Sequence, residues 1–247
     1  MGYYPIFLEV GDKPVLLVGG GHVALEKIGR LVDSGAAVTI VAPDLIPEVR
    51  EFVDTGRAHW VARPFEAGDT AGFDLVMVAT DDGAVNQTVA DEARSRGILV
   101  NAADDVANCD FILGSLVRNG DLQVTASTGG GSPAMARWLR ERLEEFLNDD
   151  IAVLADLLAE VRRDVRAMDR ECARHCNRTQ TPPPLLCTDC PNRIPADRWQ
   201  DAINGGAWDL VRAGRIDEAR AAILTGLQRD ALTPAPWWDA QATEASR

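Results

Sequence analysis

The sequence predicts an α/β fold. A doubly wound parallel sheet comes first, then a mixed α+β region, then a helical C-terminal extension. Three observations carry this. Apolar runs without polar alternation recur through the first hundred residues. Helix-compatible stretches separate them. A triple glycine, Gly19-Gly20-Gly21, directly follows the first run.

The apolar runs are Pro14–Val18, Ala37–Val41, His59–Val61, Phe73–Thr80 and Gly97–Asn101. Rich in Val, Ile and Leu, they suit strands covered on both faces. Val23–Ser34 and Val85–Arg96 read as helices, ended by Gly35 and Gly97 as C-cap residues. After residue 108 the pattern changes. Phe111–Val117 and Leu122–Ser127, joined through Asn119-Gly120, read as an antiparallel hairpin. A helix then opens with Ser132 as N-cap and Pro133 in its first turn. Met135, Trp138, Leu139, Phe146 and Leu147 recur along it at helical spacing. A second helix is predicted over about Ile151–Met168. Residues 196–228 read as a short helical pair broken at Gly205-Gly206 and Gly214.

The glycine loop is the sharpest chemical signal. Val18-Gly19-Gly20-Gly21-His22-Val23-Ala24 fits G-x-G-x-x-A, placed between a strand and a helix. Gly19 permits the tight turn, Gly21 lets backbone approach a pyrophosphate, and Ala24 allows close helix packing. The free N–H groups of the helix N-terminus favour phosphate. This is a Rossmann-type dinucleotide site. The second strand ends at Pro43-Asp44, with no cation beside it. Asp44 suits a ribose 2′-hydroxyl and repels a 2′-phosphate, which points to NAD. The alternative for Asp44 is a turn or N-cap residue ahead of Leu45–Val53.

Ligands of such sheets collect at the strands' carboxyl ends. Asp81-Asp82 and Asp104-Asp105 stand at two of them. Asp81-Asp82 precede a helix and read foremost as capping residues. Asp104-Asp105 have no clear helix to cap, which favours a general-base role there.

Composition excludes several classes. The chain has 247 residues and a net charge of −13. Residues 1–150 hold 24 acidic and 12 basic residues, net −12, against 14 and 13 in the remainder. Such acidity argues against a nucleic-acid partner. No apolar run approaches the roughly 18 residues of a membrane span, and no signal peptide is evident. Five cysteines, an odd and sparse set, suit a reducing cytoplasm.

The sequence resembles the precorrin-2 dehydrogenase module of sirohaem synthases, over about residues 1–165. The resemblance rests on Tyr4-Pro5-Ile6-Phe7, the glycine loop, Lys27, Ala79-Thr80-Asp81-Asp82, Val85-Asn86, Asn101 with Asp104, and Phe111-Ile112 with Ser115. It continues through Ser127-Thr128-Gly129-Gly130, Ser132-Pro133, Ala136-Arg137 and Leu139-Arg140. The resemblance implies oxidation of precorrin-2 to sirohydrochlorin by NAD⁺, with Fe²⁺ insertion to sirohaem in some members. It implies Asp104 as the catalytic residue and His22, Val23, Pro43 and Asp44 as cofactor contacts. It also implies a homodimer, built through the hairpin and the helices after it. The position of Thr128 is a modifiable serine in some members.

The implied substrate is a polyanion, so cations must gather locally. Arg118, Arg137 and Arg140 are candidates because guanidinium binds carboxylate bidentately. Each equally suits a solvated face or a dimer salt bridge. Cys109 reads as a small buried hydrophobe.

The C-terminal part departs from that family pattern. Cys172, Cys176, Cys187 and Cys190 fall in a proline-rich stretch. Four thiolates at this spacing suit a structural zinc ahead of an iron–sulfur cluster. Free or redox-active cysteines are the other reading, and metal analysis separates them.

The expected organisation is an NAD-binding domain over 1–113, a dimerisation hairpin and helix over 114–150, and a helical region over 151–170. A Cys/Pro-rich segment over 171–195 and a helical hairpin with a flexible tail over 196–247 complete it. The expected function is NAD-dependent precorrin-2 dehydrogenase, with or without ferrochelatase activity on Fe²⁺. Its rival is a non-catalytic NAD- or redox-sensing module.

Overall fold

The structure is a computed structural model and describes residues 2–103, 105–175 and 194–227; at 106, 168, 169 and 171–175 it describes the backbone alone. The chain divides into two compact units. One comprises residues 1–113 with 129–131, the other 114–128 with 132–247.

In the first unit, β1 (Pro14–Val18), β2 (Ala37–Ala42), β3 (Ala58–Ala62), β4 (Leu75–Val78) and β5 (Leu99–Ala102) form one sheet. Its order is β3-β2-β1-β4-β5, and every neighbouring pair is parallel. Alternate side chains enter two cores, because successive strand residues face opposite sides. Val15, Leu17, Val38, Ile40, Leu75 and Met77 pack with Ala24, Ile28 and Leu31 of α1 (His22–Asp33) and Val49 of α2 (Pro47–Asp54). Leu16, Val18, Val41, Val76, Val78 and Val100 pack with Val89, Ala90 and Ala93 of α3 (Gly83–Ser95). Both faces are covered, which is why these strands carry no polar alternation.

The run read as Phe73–Thr80 shortens to the four residues of β4. Ala79 still donates its N–H to the Val18 carbonyl at 2.7 Å. Thr80 turns away to pair with the Asn86 side chain, its hydroxyl donating to Oδ1 at 2.6 Å.

The loop before β4 is tied to α3 by Glu92. Its carboxylate accepts from Gly68 N–H at 2.7 Å, from Thr70 N–H at 3.0 Å and from the Thr70 hydroxyl. Burial pushes this carboxyl up, but the hydrogen bonds, with help from Arg96, outweigh it and hold the carboxyl below its usual range.

In the second unit, β6 (Ser115–Asn119) and β7 (Leu122–Ala126) form the expected hairpin. Its turn lies one residue later than Asn119-Gly120. Asn119 pairs with Leu122, so Gly120-Asp121 are the central residues. Only Gly120 takes positive φ, at +58°. Asn119 is freed to donate its side-chain N–H to the Leu147 carbonyl at 3.0 Å.

Helix α4 (Pro133–Phe146) starts as expected, with the Ser132 hydroxyl accepting from Met135 N–H. Its apolar spacing does not become a core within the described chain. No residue of α4 is buried, and Met135, Trp138 and Phe146 are 49, 51 and 65% exposed. Helix α5 (Asp149–His175) runs beyond its expected end near Met168, into the start of the Cys/Pro-rich segment. Helices α6 (Ala196–Ala202), α7 (Trp208–Arg212) and α8 (Ile216–Gly226) follow. Leu154, Leu157, Val161 and Val165 of α5 share a core with Ala202, Ala207, Val211, Ala219 and Ile223. Gly205 and Gly206 depart from helical geometry at the expected break. No helix among the described residues is long and apolar enough to cross a membrane.

Replacing Glu92 with alanine leaves Thr70 and Gly68 donors without their acceptor and is expected to cost about 2–3 kcal/mol by urea unfolding at neutral pH. The wild-type carboxylate contributes above its unfolded pKa of about 4.3 and loses that contribution as pH falls through its lower folded value. The gap between the two proteins therefore closes on acidification.

Candidate functional site

A cleft of about 1030 Å³ opens at the carboxyl ends of β1, β2 and β4, within the first unit. This matches the upper range for small-ligand sites, roughly 300–1,000 Å³. Gly19, Gly21, His22, Val23, Pro43 and Asp44, all singled out from the sequence, line it together.

Each glycine of the loop has a different constraint. Gly19 takes φ +117°, and a Cβ there would stand 2.3 Å from the Ala79 carbonyl oxygen. The β1–α1 turn therefore accepts no side chain at this position. At Gly20 a Cβ would lie 2.2 Å from the Asp44 carbonyl oxygen, and the Gly20 carbonyl accepts from Ile46 N–H at 3.0 Å. Gly20 thus seats the loop after β2 on the glycine turn, a role the motif alone does not reveal. At Gly21 a Cβ would meet nothing within 4 Å. No intramolecular contact demands glycine there, which leaves room for a ligand to approach the backbone.

Gly21 is the N-cap of α1, with no side-chain cap and no carboxylate in the first turn. The helix N–H groups are left for an anion. Ala24 is fully buried, as its close-packing role requires. The residues present thus fit a dinucleotide.

The charges around the cleft are one-sided. Asp44, Asp81, Asp82 and Asp105 line it with His22, and among the described residues no Lys or Arg does. Asp82 is the N-cap of α3, its carboxylate accepting from Ala84 N–H at 2.9 Å and Val85 N–H at 3.2 Å. Asp44 is exposed and precedes α2 without capping it, since Ile46 is the N-cap. Cations on adjoining elements are engaged elsewhere. Arg63 is clamped to Asp69 by two bonds of 2.6 Å, and Arg50 stacks on Trp60 at 4.4 Å.

Asp104 lies outside the described residues, but Ala103 and Asp105 on either side both line the cleft. Asp105 does meet a helical turn after all. It precedes the 3₁₀ turn Val106–Asn108, and its carboxylate accepts from the Asn108 side chain at 2.8 Å. Leu45, Ile46, Pro64 and Phe65 add apolar lining that sequence reading missed. A Pro-Phe pair just beyond the third strand was its only trace.

Other expected residues belong to the second unit or lie outside the described residues. Arg118 lies on β6; Arg137 and Arg140 lie on α4, within reach of Glu141 and Glu144 at 3.8 and 3.5 Å. Thr128 accepts from Ser132 N–H at 2.9 Å and donates to its carbonyl at 3.1 Å. The Cys172 side chain and Cys176, Cys187 and Cys190 are outside the described residues. Among the described residues no group of three or more His, Cys, Asp or Glu is arranged to hold a metal. Cys109 is half-buried, and that burial pushes its thiol pKa up.

Two family profiles match the chain. The first, described as "Putative NAD(P)-binding", covers residues 6–115. The second, "Sirohaem biosynthesis protein central", covers residues 119–145. The siroheme synthase of Methylococcus capsulatus is 37% identical over 238 residues, 96% of this chain and 46% of that protein. The siroheme synthase of Methylobacillus flagellatus is 41% identical over 219 residues, 89% of this chain and 43% of that protein. The chain is thus similar to siroheme synthases over most of its own length, and it spans less than half of theirs. These two alignments reach beyond residue 165, whereas the siroheme synthase of Actinobacillus pleuropneumoniae serotype 3 matches over 166 residues, at 39% identity, 67% of this chain and 34% of that protein. The solved structure of "SirC, precorrin-2 dehydrogenase" shares the fold, with a TM-score of 0.62 at 23% identity over 90% of this chain and all of that one.

Two alanine substitutions separate the glycine roles. Gly19→Ala is expected to lose about 2–4 kcal/mol of stability in denaturant melts. Gly21→Ala is expected to melt like wild type but to weaken dinucleotide binding at least about tenfold by calorimetric titration.

Proposed function

We propose that the chain oxidises precorrin-2 to sirohydrochlorin, with NAD⁺ taking the hydride and a proton released. The observation that carries this is the open, uncapped glycine-loop cleft rimmed by carboxylates, in a chain similar to siroheme synthases. The nicotinamide supplies the hydride-accepting carbon when bound.

The residues divide the work. The backbone at Gly19, Gly21, His22 and Val23 receives the pyrophosphate at the start of α1. Pro43 and Asp44 hold the adenosine ribose, and Asp44 accepts from its 2′-hydroxyl. A 2′-phosphate would meet this carboxylate and, among the described residues of the cleft, no cation, so NAD is preferred to NADP. Asp104 accepts the proton that leaves as the hydride leaves. Support for its place comes from Ala103 and Asp105, which line the cleft on either side.

A homodimer and a cytoplasmic location belong to the same reading. The exposed Met135, Trp138 and Phe146 of α4 support the dimer, since large apolar side chains grouped on one helix call for cover. Sparse, odd cysteines support the location. Sedimentation at micromolar concentration is expected to give twice the chain mass, and Trp138→Glu is expected to shift it toward the monomer.

The functional test is an anaerobic spectrophotometric assay with precorrin-2 and NAD⁺. Wild type is expected to form sirohydrochlorin. Asp104→Ala is expected to bind NAD⁺ normally and lose at least about 100-fold in kcat. Full activity in that variant removes Asp104 from the mechanism. Fe²⁺ added once oxidation stops separates the two enzyme readings. Sirohaem forming faster than in an enzyme-free control marks a bifunctional chain, and a halt at sirohydrochlorin marks a dehydrogenase alone. NAD⁺ binding without turnover transfers the chain to the sensing class.

A further inference from the structure

Lys27 is a charged side chain folded into the interior. It lies on α1 at 8% exposure, between the core residues Ala24 and Ile28. An ammonium withdrawn from water is costly unless well partnered, and an apolar residue of similar size would be cheaper. Its Nζ donates to Oδ1 of Asn101 at 2.9 Å. Asn101, on β5, is itself 6% exposed.

The far side of Asn101 holds the chain that follows β5. Its Nδ2 donates to the Phe111 carbonyl at 2.8 Å and lies 3.4 Å from Cys109 Sγ. The Cys109 thiol donates to the Ala102 carbonyl at 3.0 Å. Asp110 donates its N–H to the Val100 carbonyl at 2.8 Å and accepts from Val100 N–H at 3.0 Å. Residues 105–111 are thereby strapped back along β5. The strap begins at the cleft, which Asp105 lines together with Ala103, just after β5.

A hydrogen bond from a charged donor is stronger and more directional than a neutral one. It sets the Asn101 carboxamide with its oxygen toward α1 and its N–H groups toward the strap. We propose that Lys27 is a positioning residue for the oxidation, acting through Asn101 to hold the strap that follows the proton acceptor in the chain. The proposal rests on the assignment of that acceptor to Asp104. It separates two duties of α1: the first turn receives the dinucleotide, and Lys27, further along, serves the proton-transfer side.

The test uses the full chain with Lys27→Met and Lys27→Arg. Amide exchange across 105–111, NAD⁺ affinity, and kcat and KM are measured for each. Lys27→Met is expected to speed exchange in 105–111 about tenfold or more while β1 stays protected. NAD⁺ affinity should hold within about twofold while kcat falls about tenfold, and Lys27→Arg should restore most of the loss. Asn101→Asp keeps an acceptor for the ammonium but removes the donor to Phe111, so it should match Lys27→Met and serves if that variant does not fold. Unchanged exchange overturns the proposal, as does wild-type kcat with a loosened strap. Loosening that spreads to β1 with loss of NAD⁺ binding reduces Lys27 to a core-stability residue. If wild type binds NAD⁺ yet oxidises no precorrin-2, the functional reading falls and takes the catalytic half with it, while the exchange result still decides the strap.

Discussion

The structure of the first unit turns on the contact at Gly19. Gly19 donates its N–H to the Val41 carbonyl at 3.0 Å, and Ala79 donates to the Val18 carbonyl at 2.7 Å. Three strand ends, from β1, β2 and β4, thus meet around one residue that has no room for a side chain. The chain must also reverse there into α1 with positive φ. Only glycine satisfies both demands. The crevice of the doubly wound sheet, the uncapped start of α1 and the seat for the loop after β2 all follow from that turn.

A second theme is charge. Residues 1–150 carry nearly all of the net negative charge, and the cleft rim repeats it in four aspartates. Not all are available for chemistry. Asp82 is committed to the α3 terminus and Asp105 to Asn108, while Asp44 is exposed. Lys27, the cation folded into this unit's interior among the described residues, donates to the Asn101 carboxamide. Polar groups buried in this way specify geometry more than they add stability.

Some elements were readable from local pattern because local physics decides them. The five parallel strands are continuous apolar runs, and both faces of the sheet are indeed covered. Ser132-Pro133 starts α4 where a hydroxyl cap followed by proline should. The hairpin was readable but its turn was not placed to the residue. Asn-Gly and Gly-Asp both suit tight turns, and only the cross-strand register chooses between them. The apolar residues of α4 carry the period of a buried helix, yet Met135, Trp138 and Phe146 remain exposed in the described chain. Periodicity states that a face is apolar and not what covers it.

By itself the sequence determined the α/β class, the position of the glycine loop and, through Asp44, part of the lining around it. Those features depend on spacing over a few residues and on backbone sterics that any chain must obey. The tertiary structure alone decided that Gly20 supports the neighbouring loop and that Gly21 faces open space. It alone decided that Lys27 reaches Asn101, 74 positions away in the chain. Contacts of that kind join elements from distant parts of the chain, and no local pattern encodes which buried polar groups will meet once the sheet and its helices have closed.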